Sequence, residues 1–359
     1  MSLTSTNVNM SLHGRKSLLG GCDTGNPVDH CWRCDPNWAN NRRRLADCAV
    51  GFGRDAMGGK NGKTYVVTDP RDDPVNPSPG TLRYGLTQDE PLWITFATDM
   101  TITPKHNLAV TSYKTIDGRG AAVVVGEGGG CLELKDVSHV IVVGLTVRNC
   151  RPTRQPDGAM SDGDGITVFR STDVWIDHCT LEKCTDGLVD VTEGSTRVTL
   201  TNNLFRNHNK ALLLGHSDVF TQDKVMKVTV AFNRFGPGLV QRMPRCRLGL
   251  FHVINNDYVD WKLYAIGGSA APTILSHGNR FLADKEKEIT KRDYTSKSVW
   301  STWTWVSEGD LMLNGAFFRS SGHGGGLDVN TPSFAQSATL MSAMTASIGV
   351  LSCKKGSLC

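Results

Sequence analysis

Four aspartates have the types and spacing best suited to chemistry in this 359-residue chain. Asp162 and Asp164 lie in Ser-Asp-Gly-Asp-Gly, and Asp186 and Asp190 bracket Asp-Gly-Leu-Val-Asp. Residues two apart in an extended chain point the same way, so Asp162 and Asp164 share a face. Asp162 and Asp186 stand 24 residues apart. A chain that repeats at that period brings the two pairs side by side. Four converging carboxylates repel one another unless a cation bridges them, and hard oxygen donors on Gly-flanked turns favour Ca²⁺. One Asp-Gly would mark only a turn. Two pairs one repeat apart point to a metal.

The second constellation is basic. Gln241-Arg242-Met-Pro-Arg245-Cys-Arg247 follows the Gly236-Pro-Gly238 turn, and Asn209-Lys210 precedes it by roughly one repeat. Lys210 is therefore expected on the same face as Arg242 and Arg247. Beside a calcium site, such a cluster attracts a polymer carrying carboxylates, which arginine pairs in bidentate fashion. Two further patterns read as structural. Asp177-His178 has the form of a catalytic dyad, but no Ser or Cys nucleophile sits at a strained turn nearby. Cys31-Trp-Arg-Cys34 has zinc or redox spacing without a second ligand pair, so a disulfide or plain packing is expected.

The elements that must position these groups are strands. Val140–Val147, Val174–His178, Val198–Phe205, Val228–Phe235, Phe251–Tyr258 and Pro272–Phe281 share one plan. Each is a β-branched run reaching His or Asn and then an apolar residue. The marker positions His178, Asn203, Asn233, Asn256 and Asn279 are spaced 25, 30, 23 and 23 residues apart. Strand-rich repeats of that length without helices are the signature of a solenoid, whose coils bury a continuous core only by stacking. Leu-x-x-Leu-x-Leu does not recur, which leaves an all-β, single-stranded right-handed parallel β-helix. Asp35 as N-cap, Pro36 and Gly51 predict an amphipathic helix over 35–51 that caps the first coil. The coils are expected over 92–282 and a flanking tail over 283–359, with Trp300, Trp303 and Trp305 packed on the body. Residues 1–25 read as a flexible leader to a single domain over 26–359.

Composition bounds the partners. With 39 Lys and Arg against 35 Asp and Glu, the net charge of +4 excludes nucleic-acid binding driven by bulk charge. No apolar run approaches the length of a membrane span. The 38 glycines fit many turns, and eleven cysteines fit an oxidising compartment while leaving at least one thiol unpaired. Residues 1–21 carry no apolar run of signal-peptide length. The only Asn-x-Ser/Thr sequon, at Asn9, lies in the same polar leader.

From about Asn26 to the C-terminus the chain resembles the plant branch of the pectate lyase family, which also includes pollen allergens. The resemblance is carried by Cys31-Trp-Arg-Cys-Asp-Pro-Asn-Trp38, Leu45-Ala-Asp-Cys-Ala-Val-Gly-Phe-Gly53, Val174-Trp-Ile-Asp-His178, Leu212-Leu-Leu-Gly-His216 and Gln241–Arg247. It implies a parallel β-helix and Ca²⁺-dependent β-elimination on polygalacturonate or pectin by a secreted, monomeric cell-wall enzyme. The family's calcium ligands fall on Asp162, Asp164, Asp186 and Asp190. Its proton-abstracting arginine falls on Arg242, and its supporting cations fall on Lys210 and Arg247. Arg245 receives no role. Arginine is normally protonated, so cationic neighbours and alkaline pH are expected to help the base. The stretch between Cys150 and Asp162 is short for the family, which implies an open cleft wall. Two alternatives remain at this level: an inactive, allergen-like pectin-binding β-helix, and a polygalacturonase-type hydrolase. Hydrolysis needs two carboxyl groups, and the only adjacent Asp pair, Asp72-Asp73, lies in a Pro-rich loop outside the repeats.

Overall fold

A computed structural model describes residues 25–322 and 334–359 of the chain. The leader expected over 1–25, and the Asn9 sequon within it, lie almost wholly outside the described residues.

Each coil lays down three short strands, and each strand pairs in parallel with its counterpart one coil on. The repeating β-branched runs form a first sheet of ten strands, from Lys63–Val67 to Trp305–Glu308. A second sheet runs from Met100–Ile102 to Leu311–Leu313, and a third from Leu108–Ala109 to Thr290–Arg292. One coil shows the plan: Thr172–Asp177, Thr180–Glu182 and Gly187–Thr192 belong to the first, second and third sheets, and Thr196–Thr201 starts the next coil. This is the right-handed parallel β-helix, and its coils extend beyond the expected 92–282 at both ends. The first and last coils escape the repeat pattern because their strands lack the Asn marker.

Inward positions fill one continuous core, as Ile116, Val142, Ile176, Leu200, Val230 and Val253 do along the first sheet. Phe205, Phe235, Tyr258 and Phe281 stack along the axis with ring centroids 5.0, 4.8 and 4.5 Å apart. Where the first sheet turns into the second, Asn203, Asn233, Asn256 and Asn279 form a buried ladder. The backbone N–H and side-chain amide of Asn203 both donate to Asn233 Oδ1 at 2.9 and 3.0 Å, and Asn233 repeats this with Asn256. His178 is not a rung of it. Thr180 aligns with Leu204, so Asn203 falls beside Cys179, whose N–H it accepts at 2.9 Å. His178 instead ties the segment around Asp29 and the C-terminal tail to the solenoid: Nε2 meets Asp29 Oδ1 at 2.8 Å and Nδ1 meets Gly349 O at 3.1 Å.

The helix expected over 35–51 is absent. The only α-helix in this region is Pro27–Trp32, N-capped by Asn26; two 3-10 turns follow at Arg42–Asp47 and Gly51–Gly53. The apolar residues that suggested one helical face pack instead around a disulfide between Cys31 and Cys48. Cys34 is disulfide-bonded as well, so the C-x-x-C is structural. The segment does not cap the first coil. It lies along the outer face of the first sheet, where Gly59, Gly53 and Phe52 donate backbone N–H groups to Thr115, Thr199 and Thr229. The C-terminal tail returns along the same flank, and Met341 and Met344 join Trp32, Trp38 and Trp175 in a second core cluster. Trp303 and Trp305 are buried against the body. The described N-terminal segment and the C-terminal tail thus lie on the first sheet, while the aspartate and arginine clusters lie on the third.

Candidate active site

The third sheet brings the two acidic pairs onto neighbouring coils. Thr167 pairs with Asp190, which pairs with Leu213, which pairs with Arg245. Asp162 and Asp164 sit just before the strand Ile166–Phe169, and Asp186 just before Gly187–Thr192. Asp164 is fixed by the next coil: its Oδ1 accepts the Gly187 N–H at 2.7 Å, and its Oδ2 accepts Thr167 Oγ1–H at 3.3 Å. Gly187 also leaves the space that Asp190 fills, since a Cβ there would lie 2.1 Å from Asp190 Oδ1. Asp162 is exposed at the mouth of a cavity of about 230 Å³, shared with Asn107, Glu133, Met160 and Thr167. The short Cys150–Asp162 stretch forms one wall of this cavity, closed by an antiparallel bridge between Arg154 and Met160.

The electrostatics of the quartet are those of a site short of positive charge. Burial, helped by the charges of Asp186 and Asp162, raises the Asp164 carboxyl to about 6 against the pull of the Gly187 N–H. Burial and the charges of Asp164 and Asp186 push Asp190 well above the usual carboxylate range, with Arg242 opposing them. Asp190 Oδ1 is sealed from solvent without a hydrogen-bond partner among the described residues. All-carboxylate oxygen donors, mutual repulsion and one orphaned oxygen are the chemistry that a calcium ion satisfies. The side chains as they stand do not enclose one. Asp186 is paired with Lys210 Nζ, and no three His, Cys, Asp or Glu side chains gather around a metal position among the described residues.

A bulge sets the basic cluster. Lys210 pairs with Gln241 and Leu213 with Arg245, so three steps on one strand oppose four on the other. The extra residue falls at Arg242–Met243–Pro244, where Arg242 takes a φ of +64° and the Met243–Pro244 peptide is cis. Bulges of this kind re-aim a side chain out of the ladder. Arg245 is held by Asp293 at 3.0 Å. Arg247 is held by Asp218 at 2.8 Å and by the carbonyls of Gly215 and His216 at 2.9 Å. Burial and the nearby Arg245 lower the Arg247 pKa. Arg242 is different: among the described residues its Nε, like that of Arg245, is sealed without a partner, but its guanidinium makes no ion pair either.

The structure therefore assembles Asp164, Asp186, Asp190, Lys210, Arg242 and Arg247 on one face, with Asp162 at its edge. The sequence reading missed Gly187, Thr167 and Asp218. Gly187 looked like an ordinary Asp-Gly turn residue, and Asp218 carries no motif. Asp72 and Asp73 are committed elsewhere. Arg83 holds Asp72 at 2.6 Å, and Asp73 Oδ1 accepts the N–H groups of Val75 and Asn76.

Comparison with known proteins identifies the family and the fold. A family model described as pectate lyase matches residues 98–350. A pectate lyase from Zinnia elegans is 54% identical over 98% of this chain and 92% of its own length. The chain belongs to the pectate lyase family. A probable pectate lyase of Arabidopsis thaliana is 52% identical, over 100% of this chain and 90% of its own. Among solved structures, the pectate lyase fold recurs in jun a 1, the major allergen from cedar pollen. That structure superposes with a TM-score of 0.87 at 49% identity, covering 91% of this chain and 99% of that one. A pectate lyase from Bacillus sp. N165, solved with trigalacturonate, matches with a TM-score of 0.62 at 20% identity, over 85% of this chain and 99% of that one. At that identity the likeness is one of fold. As a pectate lyase, this chain carries its cluster of aspartates and basic residues on the outward face of the third sheet.

Proposed function

We propose that this pectate lyase cleaves de-esterified polygalacturonate by calcium-dependent β-elimination, with Arg242 as the base. The observation that carries this reading is the state of Arg242. Of the three arginines in its cluster, it alone has no anchoring carboxylate among the described residues, and a bulge sets it close enough to Asp190 to feel its charge. The anchors on Arg245 and Arg247 fit them to hold charge in place, while an unanchored guanidine can approach a substrate proton.

The chemistry follows from those roles. H5 of the uronate lies α to its carboxylate, so its removal puts charge on that group. The base takes H5, the C4–O4 bond breaks, a C4=C5 double bond forms, and the leaving O4 collects a proton. Asp162, Asp164, Asp186 and Asp190 would hold Ca²⁺, which supplies positive charge against the uronate carboxylate when bound. Lys210 and Arg247 add positive charge where negative charge develops. Arg247 is set for this by Asp218 and the two carbonyls that lock its guanidinium. Gly187 and Thr167 keep Asp164 oriented. The disulfides Cys31–Cys48, Cys131–Cys150 and Cys353–Cys359 support an oxidising, extracellular setting, where pectate occurs.

The test is product analysis on polygalacturonate with calcium. Ultraviolet absorbance from the 4,5-unsaturated uronide, lost in chelator, is the expected result. New reducing ends without absorbance would mean hydrolysis, and binding without either product would mean a pectin-binding protein with an inactive site.

A further inference from the structure

We infer that Lys210 is an internal competitor of calcium, holding Asp186 in the metal-free protein and releasing it as the metal binds. The inference rests on the calcium reading above and adds an order of events to it. Three observations carry it. Asp186 Oδ1 is engaged by Lys210 Nζ, while Asp190 Oδ1, on the same coil, is sealed with no partner. The two engaged side chains are 36% and 37% exposed, so both can swing away without disturbing the core. With Asp186 so engaged, no three ligating side chains gather around a metal position among the described residues.

The backbone sets up this competition. Lys210 stands beside Gly187 on one coil and Gln241 on the next, between Asp186 and the bulge that carries Arg242. His208 Nε2 meets the Asp186 carbonyl at 2.5 Å, which fixes the main chain of Asp186 and leaves only its carboxylate to choose between partners. One carboxylate cannot fully serve an ammonium and a divalent cation together. Calcium binding therefore frees Lys210, and the freed ammonium meets the carboxylate of the incoming uronate. The linkage is reciprocal: a uronate that draws Lys210 away releases Asp186 and tightens calcium. Calcium and polymer then bind with positive coupling, with Lys210 passing between Asp186 and the substrate.

The experiment is calorimetric titration with calcium alone, without substrate, on the parent, Lys210→Met, Lys210→Arg and Asp190→Asn, each checked for a parent-like melting transition. Removing an exposed pair and a cation beside the metal should make Lys210→Met bind calcium roughly three- to tenfold tighter than the parent. Lys210→Arg, which keeps a cation opposite Asp186, should stay within about twofold. Lys210→Met binding no tighter than the parent overturns the competition while leaving the calcium seat standing. Asp190→Asn binding as well as the parent removes the seat and the competition together. Should Lys210→Met fail to fold, crystals of the parent grown with and without calcium decide the matter. The Lys210–Asp186 contact is expected only without calcium, and its persistence beside a bound ion overturns the inference.

Discussion

Gly187→Ala isolates the calcium seat from the rest of the fold. The new Cβ would lie 2.1 Å from Asp190 Oδ1 and 3.2 Å from Asp164 Oδ1, and no backbone atom is among its three nearest neighbours. Gly187 is not among the positive-φ glycines, so alanine fits its main chain. Relief requires the Asp190 carboxylate to move by about 1 Å to reach an ordinary contact. That carboxylate is the one already crowded by Asp164 and Asp186, so it moves away from the position where all four acids converge. Misplacement by about 1 Å costs on the order of 100-fold, or about 2.7 kcal/mol. Calcium affinity and kcat/KM should both fall by about that factor. Global stability should change by no more than about 1 kcal/mol, because the strain ends in a movable side chain. Gly165→Ala is the contrast. Its Cβ would meet Leu188 O, a backbone atom of the next coil, at 2.6 Å, so it should lower the urea midpoint as well. The assays are calcium calorimetry, the rate of unsaturated uronide formation, and urea denaturation on the same preparations. Gly187→Ala retaining calcium affinity and kcat/KM within threefold of the parent would refute the reasoning.

Asn233→Ala should cost at least about 2 kcal/mol in urea denaturation, since it strands in the core the backbone and side-chain amide donors of Asn203 that meet Asn233 Oδ1; a loss under half of that would mean the ladder is ornamental. Asp218→Ala should leave the fold intact but release Arg247 from its 2.8 Å anchor, lowering kcat/KM by about tenfold or more, and unchanged kinetics would argue against a fixed Arg247. Burial opposes charge on His178, but Asp177 and Asp29 outweigh it and hold its pKa above the usual value. A raised histidine stabilises fully below its unfolded pKa of about 6.5 and loses that contribution as pH climbs through its folded pKa. The melting temperature should therefore fall from neutral toward alkaline pH, less steeply in His178→Asn, and parallel profiles would contradict the assignment.

The parts of the fold legible in the sequence were those in which each coil repeats the chemistry of the last. Asn203, Asn233, Asn256 and Asn279 fixed the coil length because each must satisfy the next, and that length placed Asp162 beside Asp186. The ends were not legible for the same reason. Strands such as Lys63–Val67 and Leu311–Leu313 lack the marker. The segment from Asp35 to Gly51 had helical spacing, yet the Cys31–Cys48 bridge and the bond that Thr199 Oγ1 donates to the Val50 carbonyl draw it into turns along a sheet. His178 stood at the marker spacing but one residue out of register, which only the pairing of Thr180 with Leu204 reveals. Within the site, charged residues announced themselves by type. Gly187 and Asp218 did not, since one acts by leaving space and the other reaches Arg247 across 29 residues of chain.

The central claim is that Arg242 removes the proton, and the direct measurement is the rate of ultraviolet absorbance gain on polygalacturonate with saturating calcium for Arg242→Lys against the parent. Lysine keeps the charge and loses the planar guanidine, so calcium and polymer binding should persist while the absorbance gain disappears. An Arg242→Lys enzyme that produces unsaturated uronide at a rate comparable to the parent would contradict the account.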